Sequence, residues 1–255
     1  MIWESRELTL LLARRNVHLR YQYTVAGLGW ALLQPLLTVI VLSAFRLMMG
    51  YRTTDNVPYG LYVGTSLVPW TFFVHALTLS AHSVLKHTSV LFKVHFPRIV
   101  LPLSSVAGAA ADLVIGLALL PILMIYFRFL PHWTILLLPL FALQVVLFAA
   151  GLGIWMAYLN TKYRDLANAL PFLTQLWFFL TPIAYTSNVI ADKWRPLAGL
   201  NPMLGIIEGF RYAITGAANP FMPVWALTSL AITAFLLVTG TYRFLQTEDI
   251  LTDLI

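Results

Sequence analysis

From Val100 to Phe127 the sequence carries a single charged side chain, Asp112, and from Thr134 to Leu159 it carries none. A helix crossing the hydrocarbon of a bilayer needs about 20 predominantly apolar residues, and both runs supply them. The chain as a whole is apolar too: 60% of residues are hydrophobic and 10% charged, against about 25% charged in an ordinary soluble domain. With a mean hydropathy of +0.80, most of this surface must face lipid or other lipid-facing helices. The fold class read from these features is an all-α membrane protein in one domain, residues 1–255, with no room for a large soluble unit.

Six apolar windows are expected as spans: Gly27 to Met49, Tyr59 to Ala81, Val100 to Phe127, Thr134 to Leu159, Leu170 to Tyr185 and Val224 to Tyr242. Between Thr186 and Pro223 the chain is interrupted by Pro196, Asn201-Pro202, Gly205, Gly209, Gly216 and Asn219-Pro220. That segment is too broken to span. Its middle, Met203 to Ile214, has a helical pattern and suits a short re-entrant or interfacial helix. Residues Trp3 to Tyr21 place Leu8, Leu12 and Leu19 on one side and Glu7, Arg14 and His18 on another, an imperfect amphipathic helix at the membrane interface within residues 1–26. This stretch is too charged for a cleavable signal with an apolar centre.

Basic residues in short loops set orientation. With the N-terminus inside, the cytoplasmic segments hold Arg6, Arg14, Arg15, Arg20, Lys86, Lys93, Arg98, Lys162, Arg164 and Arg243. The other side holds Arg46, Arg52, Arg128, Lys193, Arg195 and Arg211. The bias favours both termini in the cytoplasm, and it accounts for the net charge of +6 without nucleic acid, because the basic residues do not cluster on a polar domain.

No G-x-x-x-x-G-K-[S/T] loop is present, nor any Gly-Lys dipeptide, so no P-loop binds ATP in this chain. Zero cysteines exclude disulfides and thiolate metal sites. His82, His87 and His95 lie in or beside one loop, but their spacing does not set them on one helical face, and no metal is expected. That loop, Ala81 to Arg98, is amphipathic and ends in Phe96-Pro97-Arg98, where the proline fixes the approach to the next span. A polar loop of this kind suits contact with another protein and transfer of force. Asp112 stands alone at its depth without an intramembrane Lys or Arg partner, which favours hydrogen bonding inside the bundle over a proton relay. Glu208 and Arg211, at i and i+3, are spaced for a local ion pair. Trp70, Phe72, Phe73, Trp155, Tyr158, Trp177, Phe178, Phe179 and Tyr185 form either an interfacial aromatic belt or a path on which sugar C–H faces stack.

Collinear motifs tie these segments together. Arg15-Asn16, Arg20-Tyr21, Thr24, Gly27, Trp30 and Gln34-Pro35 lead into the first span, and Lys93-Val94-His95-Phe96-Pro97-Arg98 with Leu101-Pro102-Leu103-Ser104 leads into the third. Asn160-Thr161-Lys162-Tyr163-Arg164-Asp165, Pro171, Trp177 and Thr181-Pro182 follow, then Asn201-Pro202-Met203, Glu208 and Arg211. From about Arg15 to Gly216 the chain resembles the ABC-2 type permeases that export O-antigen, capsular polymer and teichoic acid; Asn16 departs from the Asp carried by many relatives.

The resemblance implies a homodimer in the bacterial inner membrane, with six spans per subunit, joined by two copies of a separate ATPase that carries the ATP and magnesium. It implies ATPase coupling through the 81–98 loop at Lys86, Lys93, Phe96, Pro97 and Arg98, and an outer gate within residues 186–223 at Asn201, Pro202, Glu208 and Arg211. For a polymer built on a polyprenyl diphosphate, Arg14, Arg15 and Arg20 are headgroup candidates, and Trp30, Trp70, Phe72, Phe73, Trp177, Phe178 and Tyr185 are glycan-channel candidates. Three other readings stay open at this point: an ABC-2 exporter of a drug, haem or lipid; a membrane enzyme acting on lipid-linked sugars; and a proton-coupled carrier.

Overall fold

The computed structural model describes residues 6–21, 29–48, 57–86, 96–163, 165–217 and 219–246. They build a helical bundle, with no strand among them. The principal helices are α1 (Arg6–Tyr21), α2 (Trp30–Met48), α3 (Tyr59–Ala81), α4 (Val100–Tyr126), α5 (Leu138–Lys162), α6 (Asp165–Leu180), α7 (Pro202–Thr215) and α8 (Met222–Gln246). A 3-10 turn, Trp133–Leu137, leads directly into α5. Among the described residues, five helical segments have the length and apolarity to cross a membrane: α2, α3, α4, the continuous stretch Trp133–Lys162, and α8.

The fifth expected crossing, Leu170 to Tyr185, falls on α6, which starts and ends earlier than its apolar window. Its 16 residues extend about 24 Å at 1.5 Å per residue, short of a hydrocarbon core about 30 Å thick. The helix stops where Thr181-Pro182 turns the chain: the Thr181 hydroxyl donates to the Trp177 carbonyl, and the Ile183 amide folds back on the Thr181 carbonyl at 2.7 Å.

The hub is α3. It is buried along nearly its whole length and packs against α2, α4, α5, α6 and α7. Its hydroxyl residues Thr65, Ser66, Thr71 and Thr78 all donate to carbonyls three or four residues back in the same helix, so an interior helix brings almost no unmatched polar group into the core. α8 covers the far side of α5 and α7. The outward faces are apolar: Leu37, Val41 and Phe45 on α2, Ile122 and Ile125 on α4, Phe172 and Phe179 on α6, and Leu227, Phe235 and Val238 on α8 are all exposed. Such a belt has no place in water and is natural in lipid or against another apolar chain.

The amphipathic lead-in forms α1, which runs alongside the first half of α4. Leu12 packs with Val100 and Leu101, Leu8 and Phe96 border them, and the Ala13 backbone passes close to Gly108. Glu7, Arg14 and His18 lie on the exposed side, as the pattern predicts; the side chain of Leu19 is outside the described set.

The broken segment resolves into a well-capped helix. In α7, Asn201 is the N-cap and its side chain accepts from the Met203 amide, Pro202 occupies the first turn, and Gly216 at φ 70° closes the C-terminus. The helix found is one residue longer at each end than Met203 to Ile214. Gly205 and Gly209 serve packing. A Cβ at Gly205 would lie 2.2 Å from the Trp225 carbonyl oxygen of α8, and one at Gly209 would lie 2.3 Å from the Phe141 ring of α5. Small residues four apart let helices approach at backbone distance in a membrane.

Substituting Gly205 by Val drives a branched side chain against the α8 backbone, which has no rotamer to yield. We expect a loss of about 1–3 kcal/mol, the usual cost of overpacking, read as a lower melting temperature in detergent. Leu37→Ala, on the exposed face of α2, leaves the melting temperature close to wild type.

Candidate transport site and its two ends

A cavity of about 450 Å³ opens between α2, α3 and α4, lined by Trp30, Ala31, Gln34, Pro35, Trp70, Thr71, Phe72, Val74, His75, Thr78 and Asp112. At its polar edge His75 Nδ1 and Asp112 Oδ2 are 2.9 Å apart, with side-chain exposures of 41% and 9%. Asp112 therefore has a partner that the sequence reading passed over. His75 sits about 9 Å before the end of α3 and Asp112 about 18 Å into α4 at 1.5 Å per residue, so equal distance from the intervening loop would not have paired them. The usable signal was weaker: two polar side chains in neighbouring apolar spans, each of which would be costly alone.

The seven aromatic channel candidates separate into three groups. Trp30, Trp70 and Phe72 line the cavity, and Trp30 is the one that is half exposed. Phe73 lies in the packed core beside Phe148, with ring centroids 5.1 Å apart and stacked, and Trp177 meets Phe73 edge-on at 5.2 Å. Phe178 contacts Trp70 edge-on at 5.7 Å. Tyr185 lies away from both groups, beyond the end of α6, with its hydroxyl donating to the Phe179 carbonyl.

At that far end of the bundle the gate candidates converge. Arg211 on α7 is 4% exposed and Glu208 is 8% exposed; the guanidinium Nη1 donates to Glu208 Oε1. Nη2 donates to the carbonyls of Pro182 and Ile183, and Cζ lies 3.8 Å from the centroid of the Tyr62 ring. Tyr59 donates to the Ala184 carbonyl at 2.8 Å while Arg46 covers its ring at 4.3 Å. Asn201 adds a second knot: its Oδ1 accepts from Trp177 Nε1 and its Nδ2 donates to the Thr181 hydroxyl, both at 2.9 Å. Together these bonds clamp the turn after α6 between α3 and α7. The expected i, i+3 pair is present, but it is buried and ties two helices to the turn after α6, so breaking it would strand a buried charge, a larger penalty than losing an exposed local pair.

At the opposite end, Lys86 is exposed on a one-turn helix, Ser83–Lys86, whose base is pinned by Ser83 Oγ donating to the Ser80 carbonyl and by Asn160 Nδ2 donating to the Ala81 carbonyl. Phe96, Pro97 and Arg98 are half-buried at the start of α4, where the Pro97 and Arg98 carbonyls accept from the Val100 and Leu101 amides. Val84, Ile99, Ile154, Ala157 and Phe244 pack into a small core beneath. Lys93, His87 and His95 lie outside the described residues. Arg14 and His18 border a groove of about 460 Å³ between α1 and α4, floored by Ala107, Gly108 and Ala111. Arg15 is exposed but does not line it, and the side chain of Arg20 is outside the described set.

The bundle thus carries a lined cavity at mid-depth, a clamped charged cluster at one end and an anchored basic surface at the other, the layout of a membrane transport subunit. Residues 7–215 match the ABC-2 type transporter family, and the chain belongs to that family. It is 29% identical over 212 residues to the O-antigen export system permease protein RfbA of Myxococcus xanthus, covering 82% of this chain and 81% of that one. A Klebsiella pneumoniae protein of the same name is 28% identical over 236 residues, 91% of this chain and 88% of its own. The inner membrane transport permease YadH of Escherichia coli K12 is 26% identical over 133 residues, about half of each chain.

Removing one member of the buried pair strands the other. Glu208→Ala leaves the Arg211 guanidinium without its counter-charge, and we expect a loss of about 3–5 kcal/mol, measured by thermal unfolding in detergent. The double variant Glu208→Leu with Arg211→Met should recover much of that loss, since replacing both partners of a buried pair by apolar groups is often neutral.

Proposed function

We propose that this ABC-2 permease exports a lipid-linked surface polysaccharide across the bacterial inner membrane, as a homodimer driven by two copies of a separate ATPase subunit. The observation that carries the reading is the match to two O-antigen export permeases over at least four-fifths of either chain. The absence of any P-loop sequence agrees with energy arriving from a partner. The aromatic and polar lining at Trp30, Trp70, Gln34 and Thr71 agrees with a sugar cargo.

In this reading ATP-driven closure of the partner presses on the α1 surface and on the loop between α3 and α4. The described parts of that loop rest on the ends of α3, α5 and α8 through Asn160 and the small core at Ile99 and Phe244. A push there reaches a packed apolar core with little free volume to absorb it. Lys86, Pro97 and Arg98 receive the push, Arg14 and Arg15 attract the diphosphate of the lipid carrier, and Glu208, Arg211, Asn201 and Pro202 form the outer closure. The positive-inside bias favours both termini in the cytoplasm.

The second reading, an ABC-2 exporter of a drug or lipid, draws on the match to a transport permease whose name specifies no glycan, but over only half the chain. Deleting the gene separates the two. We expect lipid-linked polymer to accumulate in the cytoplasm and surface glycan to disappear, with both restored by the intact gene. Surface glycan that persists in the deletion strain, accompanied by altered drug sensitivity, decides for the second reading.

A further inference from the structure

We infer that the cavity between α2, α3 and α4 is a binding subsite for one uncharged pyranose ring, held by the His75–Asp112 pair and by the face of Trp30; this deepens the glycan reading and rests on it. The volume of about 450 Å³ falls within the range of about 300–1,000 Å³ typical of small-molecule sites. The lining selects among occupants. Trp30 offers an exposed ring, and Trp70 supplies a buried aromatic wall, which suits the apolar C–H face of a sugar. On the polar side, Asp112 accepts from the Nδ1 proton of His75 at 2.9 Å. The other ring nitrogen, Nε2, belongs to a side chain that is 41% exposed and can meet a sugar hydroxyl as donor or acceptor. Gln34 and Thr78 add further polar groups along the rim.

Two other occupants fit less well. An acyl chain would cover the outer nitrogen of the imidazole without offering it a hydrogen bond, which leaves a polar group unmatched. A diphosphate would bring negative charge beside a carboxylate that is 9% exposed, where like charges repel with little screening. Among the described residues no Lys or Arg lines the cavity to offset that repulsion. The basic groove at Arg14 and His18 is separate, so the chain keeps its candidate diphosphate and sugar contacts apart.

The test uses the full-length chain in lipid nanodiscs free of glycoside detergent, probed with methyl glucoside, mannoside, galactoside and rhamnoside by ligand-detected saturation-transfer NMR. At least one pyranoside should receive saturation, strongest on its ring C–H protons, while sorbitol and inorganic pyrophosphate receive none and do not compete. Asp112→Asn, which keeps side-chain size, and Trp30→Ala, which truncates a half-exposed ring, should each weaken binding about ten-fold, the effect of losing one charge-assisted hydrogen bond or one stacking face. Leu37→Ala should bind as wild type. The subsite is overturned if no pyranoside is saturated, if both variants bind as wild type, or if pyrophosphate competes. A parallel arm complements the deletion strain with the intact gene: restored surface glycan together with absent pyranoside binding removes the subsite and leaves the exporter reading standing. Surface glycan that never depended on the gene removes that reading, and the subsite with it.

Discussion

Inside hydrocarbon a polar group has no water to fall back on, and the architecture follows from where each such group finds a partner. Arg211 is the extreme case. A guanidinium buried to 4% exposure is tolerable only because Glu208 balances its charge, two carbonyls accept its protons and a tyrosine ring covers its face. Those two carbonyls belong to Pro182 and Ile183, residues that have left α6 and formed no helix of their own. The arginine therefore both requires and stabilises the break after α6: the exposed backbone of the turn is satisfied by the charge it satisfies. Irregular backbone at this position is possible for the same reason it is elsewhere in membrane proteins, because it is buried in protein.

The sequence made much of this legible, and the limits have physical causes. The spans α2, α3, α5 and α8 show plainly because charge is absent over a full crossing length, α4 because Asp112 alone interrupts one, and α7 shows because Asn201-Pro202 and Gly216 are start and stop signals with local mechanisms. The Glu208–Arg211 spacing is also local. What did not show is non-local. Nothing in the sequence around Arg211 points to Pro182, Ile183 or Tyr62, and nothing around Asp112 points to His75 on another helix. The expected window for α6 lies five residues too late because apolarity continues past Leu180 to Tyr185, while the helix ends on side-chain bonds from Thr181 and Asn201. Composition reports solvent, and only tertiary contacts report where the backbone turns.

Aromatic residues were the least legible set. Trp70 and Phe73 lie one helical turn apart on α3, yet Trp70 walls a cavity while Phe73 is fully enclosed with Phe148 and Trp177. Rings in a buried helix are equally able to fill a core or to line a space, and periodicity cannot tell these apart when the helix is buried on every side. The neighbours decide: facing α2 and α4 the packing leaves a hollow, and facing α5 and α6 it closes.

That closure constrains how any wide cargo could pass. The Phe73–Phe148–Trp177 ring cluster joins α3, α5 and the C-terminal part of α6 at ring distances of 5.1 to 6.2 Å, the spacing of rings in contact, which leaves no continuous passage through that part of a single chain. None of these three rings lines the cavity between α2, α3 and α4. A polymer several ångströms wide must then travel along a face of the bundle, and a polar polymer cannot travel along a face that meets lipid. It needs a second protein surface opposite, so under the proposed export of a glycan a chain packed in this way favours a path formed between subunits.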